Sequence, residues 1–156
     1  MAFANFFYFL CWISGLLTLI QLHPLLDDLH CPDEWTQVND RCFIFKNDDR
    51  NFADAESICK HLGGNLASIH NGLENAALKE LARDDNGTVR RSWIGLHDLA
   101  TDPMWTDGTA TDYEDYGREE PDGSGCTQFR FDAGEERWFD TSCDTEIGFI
   151  CGKDVD

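Results

Sequence analysis

The cysteines constrain this chain more than any other feature. Six of them, Cys31, Cys42, Cys59, Cys126, Cys143 and Cys151, follow an apolar N-terminal run that holds the seventh, Cys11. In an exported domain an even number reads as three disulfides, although spacing alone does not choose among the connectivities that six cysteines allow. Metal binding is the competing use of cysteine, and the spacing argues against it. No pair has C-x-x-C spacing, and the histidines near cysteines, His61 two residues past Cys59 and His30 beside Cys31, add no zinc-site pattern.

Export is read from the N-terminus. Phe6 to Ile20 is apolar apart from Ser14, Gly15 and Thr18, so residues 1–22 are expected to be a signal peptide, with no A-x-A pattern to locate the cleavage site. The rival is a type II membrane anchor through residues 3–22, since roughly 20 uncharged residues span a bilayer. The connection His23 to His30 is short, however, and would hold Asp27 and Asp28 against an anionic headgroup surface. A secreted, extracellular protein is therefore expected, with no stable membrane insertion once the signal is cleaved.

Charge and aromatic content narrow the function classes. Thirty acidic against 12 basic residues leave a formal net charge of −18, which repels nucleic-acid phosphates. Five Trp, 11 Phe and three Tyr carry far more apolar surface than a disordered acidic chain, and 156 residues suffice for one core.

The pattern along the chain reads as strand, helix, helix, then strands. Trp35 to Val38 and Cys42 to Phe45 flank a polar turn, Asn39-Asp40-Arg41, and suggest a hairpin. Asn51 can cap a helix whose stripe is Phe52, Ala55, Ile58, Cys59 and Leu62, with Gly63-Gly64 as its stop. Asn71 and Glu74 have N-cap and N3 spacing for a second helix running to about Ala82. Strand pieces follow at Ser92 to Leu96, Cys126 to Phe131, Arg137 to Phe139 and Gly148 to Cys151. The class is α+β with an antiparallel sheet. Between the strands, Ala100 to Gly125 is about 26 residues of Asp, Thr, Gly and Glu, longer than loops in compact domains usually run, with Trp105, Tyr113 and Tyr116 to order it. The working surface is expected there.

These residues resemble the C-type lectin-like domain over Cys31 to Cys151, giving a domain at 31–152. The resemblance rests on Trp93-Ile94-Gly95-Leu96, on Trp105-Thr106-Asp107-Gly108, on Glu120-Pro121-Asp122 before Cys126, and on Trp138-Phe139-Asp140 before Cys143. It implies a disulfide-stapled fold of two helices, antiparallel sheets and a long irregular loop, with Cys31 paired to Cys42, Cys59 to Cys151 and Cys126 to Cys143.

The resemblance also implies a function. Sugar-binding members hold two vicinal hydroxyls on a calcium ion, with ligands from Glu-Pro-Asn, a Glu two residues before the next cysteine, and the Asn-Asp after the tryptophan. Here Glu120, Asp122 and Asp140 occupy three of those positions, Ser124 stands two before Cys126, and Phe139 replaces the asparagine. Calcium takes six to eight oxygens, so three carboxylates imply weak binding, and an asparagine at 139 would return an oxygen beside Asp140. Neither Asp122 nor Phe139 can donate to a sugar hydroxyl as an asparagine amide does. Tyr116, with Tyr113 or Trp105, is expected to stack on a pyranose. The expected protein is thus a carbohydrate-binding lectin, for a carbohydrate or glycoprotein ligand, with a degenerate or weak calcium site. The alternative is a calcium-independent lectin-like module for a protein or other non-sugar ligand. An enzyme is not expected, because no G-x-S-x-G elbow exists and the histidines suggest no triad.

One modification site follows from the sequence. Asn86-Gly87-Thr88 is an N-glycosylation sequon in the polar run Arg83 to Arg91. Expression through a eukaryotic secretory pathway is expected to yield protein whose mass drops on N-glycosidase treatment, and Asn86→Gln should abolish that drop.

Overall fold

The structure is a computed structural model that describes residues 30–98, 102–121, 123 and 125–155; the expected signal segment, Asp122 and Ser124 lie outside them. In chain order the elements are β1 (Thr36–Val38), β2 (Arg41–Arg50), α1 (Phe52–His61), β3 (Asn65–Leu66), α2 (Gly72–Leu81), β4 (Ser92–His97), β5 (Met104–Trp105), β6 (Cys126–Asp132), β7 (Glu135–Thr141) and β8 (Ile147–Asp154). The helices begin where the polar caps predict. Asn51 accepts a hydrogen bond from the Asp54 amide and Asn71 one from the Glu74 amide, both at 2.9 Å, satisfying donors that the first turn leaves open. Past α1 the chain turns through Gly63 at φ +86°, a conformation that glycine adopts without a Cβ penalty.

The sheet order is β1-β2-β8-β4-β6-β7, with β3 beside β8 and β5 beside β4. The expected antiparallel sheet needs one correction, because β8 runs parallel to β4, pairing Ser92 with Gly148 and Trp93 with Phe149. Parallel neighbours require a long crossover, and the chain between β4 and β8 supplies one that includes the whole β6–β7 hairpin. Residue alternation identifies strands but not the direction of strands far apart in sequence. The structure also adds β5 inside the expected loop, through Leu96 opposite Trp105 and His97 opposite Met104.

Two apolar clusters fill the interior. One gathers Phe43, Leu78, Ile94, Leu96, Trp105, Phe129 and Trp138, and the other gathers Ile44, Phe52, Ala55, Cys59, Trp93 and Phe149. Trp93, fully buried, satisfies its indole N–H on the Arg50 carbonyl at 2.8 Å. Gly95 is required by contact, since a Cβ there would lie 2.5 Å from the Leu66 carbonyl oxygen. The disulfides join Cys31 to Cys42, Cys59 to Cys151 and Cys126 to Cys143. The last two close separations of 92 and 17 residues, worth roughly 4–5 and 3 kcal/mol by chain entropy.

A buried polar chain ties the elements around the start of α2. Glu74, 4% exposed, accepts from the Arg41 guanidinium at 3.1 Å and from the His70 amide at 2.9 Å. Arg41 also donates to the Ser68 carbonyl and hydroxyl at 3.0 and 2.8 Å, and that hydroxyl donates to Asp107. Removing one member strands a buried charge, which typically costs more than the pair itself contributes. Glu74→Ala is therefore expected to lower the unfolding free energy by about 3 kcal/mol, read from the urea midpoint with the slope unchanged.

Candidate functional site

The long connection from β4 to β6 is held against the body at several points before it reaches the expected ligand residues. Asp107 anchors its first turn, accepting from Ser68 and from the amide and hydroxyl of Thr109. Burial works to raise the Asp107 pKa, and these hydrogen bonds bring it below the usual carboxylate value. Next, Asp112 meets His70 Nδ1 at 2.8 Å. Then comes Asp115, whose carboxylate takes hydrogen bonds from Lys79 and Asn75 of α2, each at 2.6 Å, and from Arg137 of β7.

From Asp115 the backbone runs along the open edge of β7. Trp138 donates its amide to the Asp115 carbonyl and accepts from the Gly117 amide, both at 2.9 Å. Tyr113 and Tyr116 set their rings edge-on to Trp138 at centroid distances of 5.8 and 5.7 Å, and Trp105 does the same at 5.7 Å. Trp138 in turn donates its indole N–H to Asn75 at 2.9 Å. Trp105 is 2% exposed, so the stacking platform expected there is core packing instead; Tyr113 and Tyr116 are half-buried on the same indole.

This path delivers Glu120 to Asp140. One Glu120 carboxylate oxygen accepts the Asp140 amide at 3.1 Å, and the Asp140 carboxylate accepts the Thr127 hydroxyl at 2.9 Å. The Glu120–Pro121 peptide bond is cis. Tyr116 closes the group, hydrogen-bonded to Thr127, and its phenol pKa is driven far above the ordinary value by burial and then by the charges of Asp140, Glu114 and Asp98. Of the expected site residues the structure therefore joins Glu120, Asp140 and Tyr116, while Asp122 lies outside the described residues.

Phe139 occupies the asparagine position as a packed ring, 6% exposed. Gly117 lies so close that a Cβ there would stand 2.6 Å from the ring, and the Arg130 guanidinium sits 4.0 Å from the ring centroid. The described residues by themselves do not fit a calcium shell. Two carboxylates, each already accepting a hydrogen bond, supply too few oxygens, and the neighbouring position carries an aromatic ring beneath a cation. Among the described residues no three His, Cys, Asp or Glu side chains form a metal-holding group.

Thr127, Arg130 and Asp115 were not among the residues expected from the sequence. Hairpin register could have found the first two. A two-residue turn at Ala133-Gly134 sets Thr127 opposite Asp140 and Arg130 opposite Arg137, on the diagonal to Phe139. Asp115 carried no such signal, because it is one acid among many in an irregular segment.

Comparison with known proteins places this geometry among relatives. The profile of the lectin C-type domain matches residues 48–153. The galactose-specific lectin nattectin of Thalassophryne nattereri is 34% identical over 131 residues, covering 80% of this chain and 81% of that protein. The structure of a herring type II antifreeze protein is similar with a TM-score of 0.74 at 36% identity, covering 81% of this chain and 100% of that one. A calcium-independent type II antifreeze protein is similar with a TM-score of 0.73 at 30% identity, over 82% of this chain and 97% of the other.

Asp115 generates a pH prediction. Burial opposes its ionisation, but Lys79, Asn75 and Arg137 hold the folded pKa below the ordinary 3.8. A depressed carboxylate contributes stability that is present above the unfolded value and is lost as pH falls through the folded one. The difference in urea midpoint between the native protein and Asp115→Asn is expected to be constant at neutral pH and to shrink once the pH drops below about 4.

Proposed function

The chain belongs to the C-type lectin domain family, whose members are binding proteins rather than enzymes, and from that premise we propose that it is a secreted, extracellular lectin for a carbohydrate or glycoprotein. Its ligand face is the one that holds Glu120, Asp140 and Tyr116, with Asp122 beside Pro121. What carries this reading is the convergence of Glu120 and Asp140, 20 residues apart in sequence and joined through the Asp140 amide. Carboxylates at such a face accept from sugar hydroxyls, and the half-buried tyrosine offers a ring edge to an apolar pyranose face. Export fits the three disulfides, which persist in oxidising compartments. A name such as galactose-specific lectin in a relative at 34% identity supports the class of ligand. Calcium enters this reading as a weak contributor that depends on Asp122 for its third carboxylate.

A second reading has its own observation. The Phe139 ring under Arg130 replaces an oxygen ligand by a cation, which favours a calcium-independent module, as the similar type II antifreeze protein described as calcium-independent is. A glycan array probed with calcium and again with a chelator distinguishes the readings. Sugar binding that weakens under chelator is expected on the first. Binding indifferent to chelator removes calcium from it, and the absence of any glycan signal in both conditions replaces it with a module for a non-sugar ligand.

A further inference from the structure

On the same sheet face as Phe139, arginines gather in a chain whose acids outnumber its bases by more than two to one, 30 against 12. Arg130 stands opposite Arg137 in the hairpin register and lays its guanidinium over Phe139. Gln128, the cross-strand partner of Phe139, accepts at 2.8 Å from Arg91, so Arg91 is tied to the residue opposite that ring. Gly117 packs on that ring, and Arg118, exposed, follows it directly.

Three acids form ion pairs with Arg130 and Arg137 among the described residues, and Glu119 and Glu120 follow Arg118 in sequence. Asp132 pairs with Arg130 at 2.7 Å, and Asp115 and Glu135 pair with Arg137. Among the described residues neither Arg91 nor Arg118 meets a carboxylate within ion-pair distance, so their charge is uncompensated by contact. Gln128, fully buried, leaves its Nε2 without a hydrogen-bond partner, an unfilled donor beside Arg91.

A guanidinium stacked on an aromatic face holds its N–H edge in a fixed orientation suited to bidentate contact with a carboxylate or sulfate; on Arg130 that edge meets the exposed Asp132, a surface pair that an anionic ligand group would share or displace. Reach is decided by screening. With a Debye length of about 8 Å at physiological salt, the distant acids that give the net charge of −18 act weakly on one anionic group at this patch, whereas a long polyanion would meet them all. We propose that Arg130 on Phe139, with Arg91 and Arg118, forms a subsite for one anionic substituent of a sugar, so that the ligand class is an acidic saccharide bearing a carboxylate or sulfate. This assignment rests on the glycan-binding reading above and names its specificity. It also gives Phe139 a use: the ring seats a protein cation beside the face where other members place a metal.

The test is titration calorimetry of the full chain, produced through a secretory pathway, with three disaccharides: a neutral one, its sulfated counterpart and a glucuronate-containing one. At least one acidic disaccharide is expected to bind about tenfold or more tightly than the neutral one, with the advantage shrinking as salt is raised. Arg130→Gln, and independently the exposed-site changes Arg91→Gln and Arg118→Gln, should bring the acidic-to-neutral ratio toward one. Arg130→Lys should recover only part of it, because an ammonium keeps the charge without the fork. Lys60→Gln, which removes one exposed cation elsewhere, should leave the ratio unchanged. Equal affinity for neutral and acidic sugars overturns this proposal and leaves the lectin reading standing. An acidic preference that survives all three glutamine variants overturns the assignment to these arginines, and no binding to any of the three sugars overturns both readings.

Discussion

The buried carboxylate of Asp115 is the interaction on which the ligand face depends. Removing such a group from water is costly unless cations and donors surround it, and here Lys79, Asn75 and Arg137 do so from α2 and β7. The same residue uses its backbone carbonyl to take the Trp138 amide. Side chain and main chain together therefore set both the place and the register of the loop along the β7 edge. That register brings Glu120 to Asp140 five residues later, and it also covers a sheet edge that would otherwise present open backbone groups.

The loop is fixed from its other end by a different mechanism. Asp107 belongs to the polar chain that runs through Ser68 and Arg41 to Glu74, so the first turn after Trp105 is bound to β2 and α2 at once. Between the two anchors the aromatic rings of Trp105, Tyr113 and Tyr116 converge on Trp138. An irregular segment of this length carries a large ordering entropy. Packing on one indole, with Cys126–Cys143 tying the start of β6 to the turn after β7, offsets it without regular secondary structure.

Much of the frame was legible in the sequence because its signals are local. Asn51 and Asn71 declare helix starts by their own capping chemistry, Gly63 declares a stop, and alternation marks β6 and β7. The six cysteines read as three bridges by parity, but their pairing needed the family resemblance. The parallel β4–β8 pair was not legible, since nothing in either strand states its direction relative to a partner more than 50 residues away. At the site, Glu120 and Asp140 stood out through their motifs, and the structure brings them together. Trp105 was misread, because an aromatic in a polar loop looks like an exposed platform until the core it enters is known. Asp115 was invisible for the reverse reason: its importance lies in Lys79 and Asn75, which only the fold brings near.

The departure at Phe139 is a coupled change rather than a single replaced ligand. Its ring fits only because residue 117 has no side chain, since a Cβ there would stand 2.6 Å from the ring, and its outer face is occupied by Arg130. An asparagine placed at 139 would leave Gly117 facing a void and would set its amide oxygen beside a guanidinium that competes with any metal for it. The oxygen that the sequence pattern asks for can therefore be returned by one substitution, but the electrostatic setting cannot. Gly117, Arg130 and Phe139 act as one unit, and a return to metal-ion recognition at this face requires the cation over the ring to be removed together with the ring itself.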